Sequence, residues 1–406
     1  MRIAFHDYPG HAFPVQLARA LARRGHDVLH LYFADFQSPK GKLAPAPDDP
    51  PGLRLQPIGL GAPHRKYDLV RRWLQDRRYA KLLIEQVLVF RPDVVLGGNG
   101  PLDPQAKLLD VARASGAGFV FWLQDAYGIA IDQLLRRRLP VVGALVGGRF
   151  RRLERRLWRA ADEIVAITED FRPLLDRAGI DPGRVTVIEN WAALDELPLR
   201  PRDNRWAAAH GLVDQRVVLY AGTMGLKHNP ELLCHLARRF RAVPDIRIVV
   251  VSEGLGADHI ARVKTAEGLD NLLLLPFQPY DALPDLLATA DLLVVVLEAG
   301  AGIYSVPSKL LSYLCAGRAI LGAMPPDNLA SRIVARAGAG LVTAPDDVAG
   351  FLEAAATLLD RPERRAAAGA AARAYAERSF DIASIAARFE AVLAAAGAAA
   401  RRAISH

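Results

Sequence analysis

The sequence has few cysteines and no long apolar run. Cys234 and Cys315 are the two cysteines among 406 residues. Two thiols are too few for a disulfide framework or a multi-cysteine metal site, and they suit a reducing compartment. His6 and Asp7 interrupt the apolar opening early, which argues against a signal peptide. No uncharged apolar stretch reaches the roughly 18 residues that a bilayer span needs. We therefore expect a cytoplasmic protein that is not integral to the membrane.

Lysine is also scarce, with 8 lysines against 44 arginines. A bias in genomic base composition explains that ratio, but it does not explain where the charge lies. Residues 1–200 hold 30 basic and 23 acidic side chains, whereas residues 201–406 hold 22 and 21. Hydrophobic residues make up 51% of the chain, which excludes wholesale disorder. The basic surplus of the first half predicts an anionic partner.

Strand and helix patterns alternate along both halves of the chain. Arg2–Asp7 is a short apolar strand, Phe13–Arg24 has helical spacing, and His26–Phe33 is a second strand. A second series of strands rich in Val, Leu and Ile begins at Val217–Ala221. This alternation is typical of βαβ units and predicts parallel sheets.

The polar stretch 200–215 is a plausible linker between the two series. We therefore predict an α/β protein with two doubly wound, Rossmann-like domains in tandem, facing a cleft. The predicted domains are residues 1–200 and 201–380, and residues 381–406 form a C-terminal helix that crosses back to the first domain. A single very large sheet is the competing interpretation, and the linker argues against it.

A glycine-rich stretch follows the strand Val217–Ala221. Gly222 and Gly225 allow the backbone to approach a ligand, and Asn229 is placed to cap the next helix. Lys227 stands just before that helix start, where backbone N–H groups and a lysine together suit a diphosphate. An ordinary glycine turn with a solvated lysine is an equally good interpretation of this stretch alone.

A second lysine stands at a helix start in the same predicted domain. Ser308 begins a helix that Gly317 ends, and Lys309 adds charge to its first turn. The alternative is a capped helix with one surface lysine. Two such starts in one domain favour an anion site over that alternative.

These residues carry a resemblance to a known family. The stretches 222–227 and 305–318 resemble the donor-binding motifs of family 4 glycosyltransferases, most closely the branch with colanic-acid and O-antigen sugar transferases. The resemblance covers most of the chain, including residues 17–28 and 188–191. It implies a GT-B fold, a second domain that binds a nucleotide sugar and a first domain that binds the acceptor. It also implies retention of anomeric configuration, with no metal and no cofactor.

The resemblance also assigns roles to residues of this chain. Lys227 and Lys309 would hold the diphosphate, and Asp125 would lie near the reacting centre after the strand Gly118–Leu123. The donor-binding set would further include Gly222, Thr223, Gly225, Tyr304, Ser308 and Ser312. The cleft and acceptor set of the first domain would be Gly10, His11 and Asn190.

Three positions depart from the family pattern. Thr223 stands where the family usually has an arginine, and Tyr304 and Ser312 stand where it has a pair of glutamates. The second glutamate normally grips the donor ribose, so Ser312 would hold it more weakly. Because of these departures, the motif does not identify the donor sugar. A non-catalytic nucleotide-sugar-binding protein also stays as an alternative.

Three of the first-domain residues have simpler explanations. Asp125 follows a strand, so its carboxylate suits either capping of the next helix or binding of an acceptor hydroxyl. His11 is either a sugar-binding group or an ordinary loop histidine. Asn190 is either a cleft residue or packing near the hinge.

The segment 136–159 is strongly basic, with nine arginines and one acid, Glu154. Phe150, Leu153, Leu157 and Trp158 share one helix face, and a short apolar stretch, 140–148, lies beside them. A basic amphipathic helix of this kind suits an anionic membrane surface. A core-facing helix with a solvated basic back is the alternative. The segment has no aromatic-rich platform, so we expect no nucleic-acid binding.

We therefore predict a retaining glycosyltransferase of hexosyl or N-acetylhexosaminyl type, using a nucleotide diphosphate sugar. The acceptor is expected to be a glycan or lipid-linked saccharide of exopolysaccharide or cell-envelope assembly. The protein would be cytoplasmic and peripheral on the inner face of the plasma membrane. A nucleotide-sugar epimerase of the same fold is the rival enzyme class.

Overall fold

The computed structural model describes residues 1–36, 40–62, 69–138, 140–225, 228–301 and 306–404. The chain divides into two compact units. The first unit contains Met1–Glu189 together with Ile382–His406, and the second contains Asn190–Asp381.

The first unit is built on a seven-stranded parallel sheet in the order β3-β2-β1-β4-β5-β6-β7. Its strands are β1 (Arg2–His6), β2 (Asp27–Phe33), β3 (Leu53–Ile58), β4 (Val94–Gly97), β5 (Gly118–Leu123), β6 (Glu163–Ala166) and β7 (Val185–Val187). Its helices before the second unit are α1 (Ala12–Arg23), α2 (Leu69–Phe90), α3 (Leu102–Ser115), α4 (Tyr127–Arg138), α5 (Pro140–Ala160) and α6 (Arg172–Arg177).

The second unit is built on a six-stranded parallel sheet in the order β10-β9-β8-β11-β12-β13. Its strands are β8 (Arg216–Ala221), β9 (Ile246–Val251), β10 (Leu272–Leu275), β11 (Leu292–Val296), β12 (Ala319–Ala323) and β13 (Gly340–Thr343). Its helices are α7 (Arg205–Ala209), α8 (Glu231–Arg239), α9 (Leu255–Glu267), α10 (Leu283–Ala288), α11 (Ser308–Ala316), α12 (Leu329–Ala337), α13 (Val348–Asp360) and α14 (Pro362–Ser379).

The predicted fold class is confirmed in both units. The central strands β4, β5, β8, β11 and β12 are almost wholly buried because helices cover both faces of a parallel sheet, whereas the edge strand β3 is mostly exposed or half-buried. In each sheet the strand order reverses at the first strand of the unit, β1 in one and β8 in the other. Ligands of doubly wound sheets bind beyond the carboxyl ends of the strands at that reversal. The loops after β1 and β8 are therefore the places to look for a site.

The last helix, α15 (Ile382–Ile404), packs in the first unit against β5 and α1. Phe389 meets Trp122 edge to face at 4.9 Å between ring centroids. Glu390 accepts a hydrogen bond from the Arg24 guanidinium at 2.7 Å and is 2.8 Å from His26 Nε2. The C-terminal helix thus completes the first unit rather than the second.

The C-terminal alanine-rich region consists of three helices, α13, α14 and α15. Pro362 starts α14, since a proline fits the first turn of a helix but not its interior. Among the described residues, 362–403 is the one helical stretch with the length and apolarity needed to cross a bilayer. Part of this stretch lies in the cores of the two units, where Ala372, Phe389 and Leu393 are fully buried.

The predicted linker is part of the second unit. Residues 205–209 form α7, and the Asn204 side chain caps it by accepting hydrogen bonds from the N–H groups of Trp206 and Ala207. Trp206 is buried and its indole N–H donates to Gln278. The polar composition of this stretch therefore reflects capping and surface contacts, and the units divide earlier, at Glu189.

Candidate functional site

The loop after β8 and the start of α11 meet at one lysine. Gly222 has φ 135°, a backbone conformation that favours glycine, and a Cβ there would lie 3.2 Å from Lys309 Cε. The missing side chain leaves room for Lys309 to lie along the strand end. The structure thus brings Gly222 and Lys309 together, although 87 positions separate them in the sequence.

Two further side chains hold the Lys309 ammonium. Its Nζ donates to the Tyr220 hydroxyl at 2.6 Å and is 3.0 Å from His228 Nε2. The same Nζ lies 4.3 Å from the centroid of the Tyr220 ring, within cation–π range. The Tyr220 hydroxyl in turn donates to the carbonyl of Thr223 at 3.0 Å. We refer to Lys309, Tyr220 and His228 as the lysine cluster.

The lysine cluster contains no negative charge to balance the ammonium. Burial therefore lowers the pKa of Lys309 to about 7. His228 can form its hydrogen bond with Lys309 whether the lysine is protonated or neutral. Its Nδ1 is 3.1 Å from the Gly225 N–H and 3.3 Å from the Gly225 carbonyl, so the ring can accept at one nitrogen while donating at the other. An anion placed beside this lysine would supply the missing charge.

The other predicted donor residues take these positions. Ser308 is exposed at the first position of α11, and Ser312 lies one turn later and is partly buried. Gly225 and Thr223 lie in the loop after β8. Pro230 is the N-cap residue of α8, one position after the predicted Asn229, whose side chain accepts from the Glu231 N–H at 3.1 Å. Lys227 and Tyr304 lie outside the described residues.

In the first unit, the loop after β1 carries a buried acid. Asp7 follows β1 directly and is 0% exposed, and its Oδ2 accepts from the His11 N–H at 2.8 Å. Its Oδ1 has no hydrogen-bond partner among the described residues. Burial raises the pKa of Asp7 to about 7, against the opposing charge of Lys40. Sequence reasoning treated Asp7 only as an interruption of an apolar run.

Aromatic hydroxyls and a second acid surround this loop. The Tyr8 hydroxyl donates to Asp76 at 2.6 Å, and His6 Nε2 is 3.0 Å from the Tyr79 hydroxyl. The Tyr127 hydroxyl donates to the Asn99 side chain at 3.2 Å. The carboxyl ends of β1, β4 and β5 thus share a polar cluster, which suits hydroxyl groups better than phosphates.

Three of the four predicted first-domain residues follow β1 or β5, and the fourth lies in the second unit. Gly10 has φ 71°, and its N–H donates to the Asp7 carbonyl at 3.2 Å. His11 precedes α1 and its ring stacks on Phe13. Asp125 follows β5, and its charge raises the pKa of Tyr127 after the larger effect of burial. Asn190, expected in the first domain, is the first residue of the second unit.

The basic segment forms a helical hairpin of α4 and α5. Leu157 and Trp158 are fully buried, and Phe150 and Leu153 are partly buried. The apolar face predicted for a membrane therefore faces the protein interior, and that assignment of the face was wrong. Glu154, the one acid of the segment, is buried where it accepts backbone N–H bonds from Tyr127 and Gly128, and burial raises its pKa to about 7.

One group of potential metal ligands occurs among the described residues. Glu231, Cys234 and His259 bring their ligand atoms within 4.8 Å of one another. Sequence spacing missed the group because α8 and α9 each contribute to it. Glu231 already binds Arg238 at 2.6 Å and His259 at 2.7 Å. Both carboxylate oxygens are therefore engaged by cationic or ring nitrogen groups.

Two family models match the chain in succession. A model described as a glycosyl transferase 4-like domain matches residues 11–191, and one described as glycosyl transferases group 1 matches residues 203–375. The first match lies almost wholly in the first unit, and the second covers the lysine cluster.

Individual relatives agree with these matches. The putative colanic acid biosynthesis glycosyl transferase WcaI of Escherichia coli strain K12 is 27% identical over 301 residues, 72% of this chain and 71% of WcaI. Anabaena Alr3699/HepE in complex with UDP is 16% identical, with a TM-score of 0.69 over 97% of this chain and 100% of that one. Sucrose-phosphate synthase from Thermosynechococcus elongatus is 15% identical, with a TM-score of 0.75 over 98% and 100%. The two structures show that the fold is shared. The two family models together match residues 11–191 and 203–375, and with the WcaI similarity they show that the chain belongs to the family 4 glycosyltransferases of the GT-B fold.

Proposed function

We propose that this glycosyltransferase moves a hexose or N-acetylhexosamine from a nucleotide diphosphate sugar to a hydroxyl group of a lipid-linked saccharide. The transfer would retain the anomeric configuration and need no metal ion. The observation that carries the donor half is Lys309, held by Tyr220 and His228 beside Gly222. No acid of the described part of the chain contacts this lysine, and a lysine at a helix start is the kind of group that binds an anion.

In the proposed reaction, negative charge grows on the diphosphate as the sugar bond breaks. Lys309 and the first N–H groups of α11 would stabilise that charge more strongly in the transition state than in the ground state. We assign Lys227 to the same diphosphate by its place in the motif. The UDP found with the Anabaena protein supports a uridine nucleotide as the first donor to test.

Metal independence rests on the same positive groups. A lysine and a helix start supply the charge that a divalent cation would otherwise bring to the diphosphate. Glu231, Cys234 and His259 offer ligands for a metal, but Arg238 and His259 already bind both oxygens of Glu231. Removing divalent ions should therefore leave transfer intact.

The proposed acceptor half rests on the first unit. Asp125, Gly10 and His11 follow β5 and β1, and the cluster around Asp7 presents carboxylates and hydroxyls of the kind that bind sugar hydroxyls. A lipid-linked acceptor at the cytoplasmic face of a membrane is supported by the basic surplus of residues 1–200. The relation to an enzyme named for colanic acid biosynthesis supports exopolysaccharide assembly.

The test is a transfer assay with a panel of UDP- and GDP-sugars, in EDTA, with lipid-linked and water-soluble saccharide acceptors. We expect a new glycosidic bond with retained configuration by NMR, on the lipid-linked acceptor. An inverted product would refute retention, and activity that needs added divalent ions would refute metal independence. An epimerised nucleotide or free sugar without transfer would favour the epimerase.

A further inference from the structure

The solvent face of α5 begins with four aliphatic side chains. Val141 is 77% exposed, Val142 57%, Leu145 70% and Val146 40%. Residues one and four positions apart along a helix form a continuous surface, so these four make one apolar patch. We call Val141, Val142, Leu145 and Val146 the α5 tip. It adjoins the turn of the α4–α5 hairpin.

The packing of α5 fixes this patch outward. Gly143 and Gly147 lie on the opposite face, where α5 contacts α4. A Cβ on Gly147 would lie 2.6 Å from Asp132 Cα, and one on Gly143 would lie 2.9 Å from the Arg136 backbone nitrogen. Only glycine permits this approach, and Leu157 and Trp158 anchor the same face further along. The helix therefore cannot rotate to bury the tip without losing the α4 contact.

Arginines continue the same face beyond the tip. Arg149, Arg152 and Arg156 lie at helical spacing and line an open depression with Asp103 and Leu153. We call these three the arginine collar. Arg149 comes four residues after Leu145, or about 6 Å along the axis. Arg156 also contacts Asp110 at 2.9 Å, so the collar holds its shape next to α3.

A second patch extends the collar onto α2. Trp73 is 38% exposed and Leu74 is 49% exposed, and the Arg77 guanidinium lies 4.7 Å from the centroid of the Trp73 ring. Burial raises the pKa of the Asp103 carboxyl, and the charges of Arg149 and Arg77 oppose that rise. Helices α2 and α5 both pack against α3, which carries Asp103.

We propose that the α5 tip and the arginine collar form a docking surface for an anionic phospholipid bilayer. A bilayer offers apolar depth next to a layer of phosphates, and the helix offers aliphatic groups next to arginines about one turn away. Arginine binds phosphate through two parallel N–H bonds. The tip has no aromatic ring on which a nucleic-acid base could stack. A second copy of the chain would set like charges against each other.

This inference rests on the proposed membrane location and names the surface that provides it. The test is co-sedimentation with vesicles of 30% phosphatidylglycerol in phosphatidylcholine, against pure phosphatidylcholine, at low and high salt. We expect binding to the anionic vesicles only, weakened but not abolished by 0.5 M salt, because the apolar contact is not screened.

Two variants divide the surface into its parts. R149Q/R152Q/R156Q should lower the vesicle partition coefficient about tenfold or more at low salt. V141S/L145S should leave weak low-salt binding and remove the binding that persists in 0.5 M salt. The matched controls are Val89→Ser, an aliphatic residue 81% exposed about 24 Å along α2 from Trp73, and R241Q/R262Q/R336Q in the second unit. Both controls should bind as the wild type does.

The outcomes separate this surface from the function. If the wild type binds anionic vesicles and both variants bind as well as the wild type, the protein binds membranes through another surface. The assignment of the α5 tip and the arginine collar is then refuted, and the membrane location stands. If the wild type never binds, both the surface and the membrane location fail, while donor binding by calorimetry still tests the transferase. If sedimentation velocity shows a dimer that V141S/L145S dissociates, the tip is a contact between copies and the proposal is overturned.

Discussion

The two units share a topology but place opposite charges at the same position. In the second unit, the loop after the central strand β8 meets Lys309, and in the first unit the loop after the central strand β1 begins with Asp7. Burial moves the pKa of each group to about 7, downward for the lysine and upward for the acid. The fold therefore offers the same strand-end position in both units, and under the proposed function the side chain placed there would select phosphate in one unit and hydroxyl in the other.

The units also differ in how they are completed. The first unit needs α15, which returns from the end of the chain to cover β5 and α1, whereas the second is continuous. Gly118 on β5 allows this, because a Cβ there would lie 2.6 Å from the Ala396 backbone. A glycine in a strand interior often marks such a close approach of another backbone.

Loss of the lysine should give the largest effect. Lys309→Ala should weaken nucleotide-sugar binding about tenfold to a hundredfold or more, since a charge-assisted hydrogen bond contributes about 1.5–3 kcal/mol. Calorimetry with UDP-glucose measures this, and Lys81→Ala, an exposed lysine of the first unit, is the control. Unchanged donor affinity in Lys309→Ala would place the diphosphate elsewhere.

The next effect concerns the completion of the first unit. Gly118→Ala should lower the free energy of unfolding by about 1–3 kcal/mol, because the new methyl group meets backbone that cannot move aside. Gly322→Ala on β12 is the matched change in the second unit, where the closest atom is the flexible end of Met324. Denaturant titration of both variants should show the larger loss for Gly118→Ala. An equal loss in the two would mean that α15 is not tightly seated.

Asp7→Asn should stabilise the protein at alkaline pH by about 1–2 kcal/mol, because it removes a buried charge. The sign follows from the raised pKa of Asp7. Above pH 7 the buried carboxylate is ionised in the folded protein, which lowers the free energy of unfolding. This destabilisation decreases as the pH drops from 7 towards 4, because the folded protein then binds a proton at Asp7. Thermal unfolding should therefore show a higher melting temperature for the variant than for the wild type at pH 8, and a smaller difference between the two at pH 5. A gap independent of pH would show that Asp7 is not the titrating group.

The same variant also tests the difference between the two strand ends. Asp7→Asn should leave the affinity for UDP-glucose unchanged, since the acid lies in the unit without the lysine cluster. Transfer to the acceptor should fall. If Asp7→Asn instead lost affinity for UDP-glucose and kept its affinity for the acceptor, the first unit would be the donor-binding unit.

Donor binding should also depend on pH, with a smaller effect. In the proposed donor site Lys309 would bind the diphosphate in its protonated form, and burial lowers its pKa in the free protein to about 7. Affinity for UDP-glucose should be constant below pH 7 and fall by up to about tenfold per pH unit above it. Calorimetry in buffers of different ionisation enthalpy should show proton uptake on binding, which Lys309→Ala abolishes. Binding without proton uptake at pH 8 would mean that the lysine is already charged.

Much of this architecture was predictable from the residues. Apolar strands alternating with helices predicted two parallel sheets, and the glycines after β8 together with Lys309 pointed to one strand end, where the structure places Gly222 beside Lys309. Asp7 also follows a strand directly, so the rule that pointed to Asp125 and Lys309 could have found it. Tyr220 and His228 gave no sequence signal, because a buried strand tyrosine and a loop histidine are common.

The sequence by itself determined the α/β class, the two parallel-sheet units and the strand ends at which the candidate residues lie, because periodicity and strand-end glycines are local properties of the chain. Only the tertiary structure decided which groups meet there. Lys309 reaches Tyr220 through a strand order that brings β8 beside β11. It also decided the outward face of α5. A helix with two apolar sectors can bury either, and the contact of Gly143 and Gly147 with α4 leaves the α5 tip in solvent.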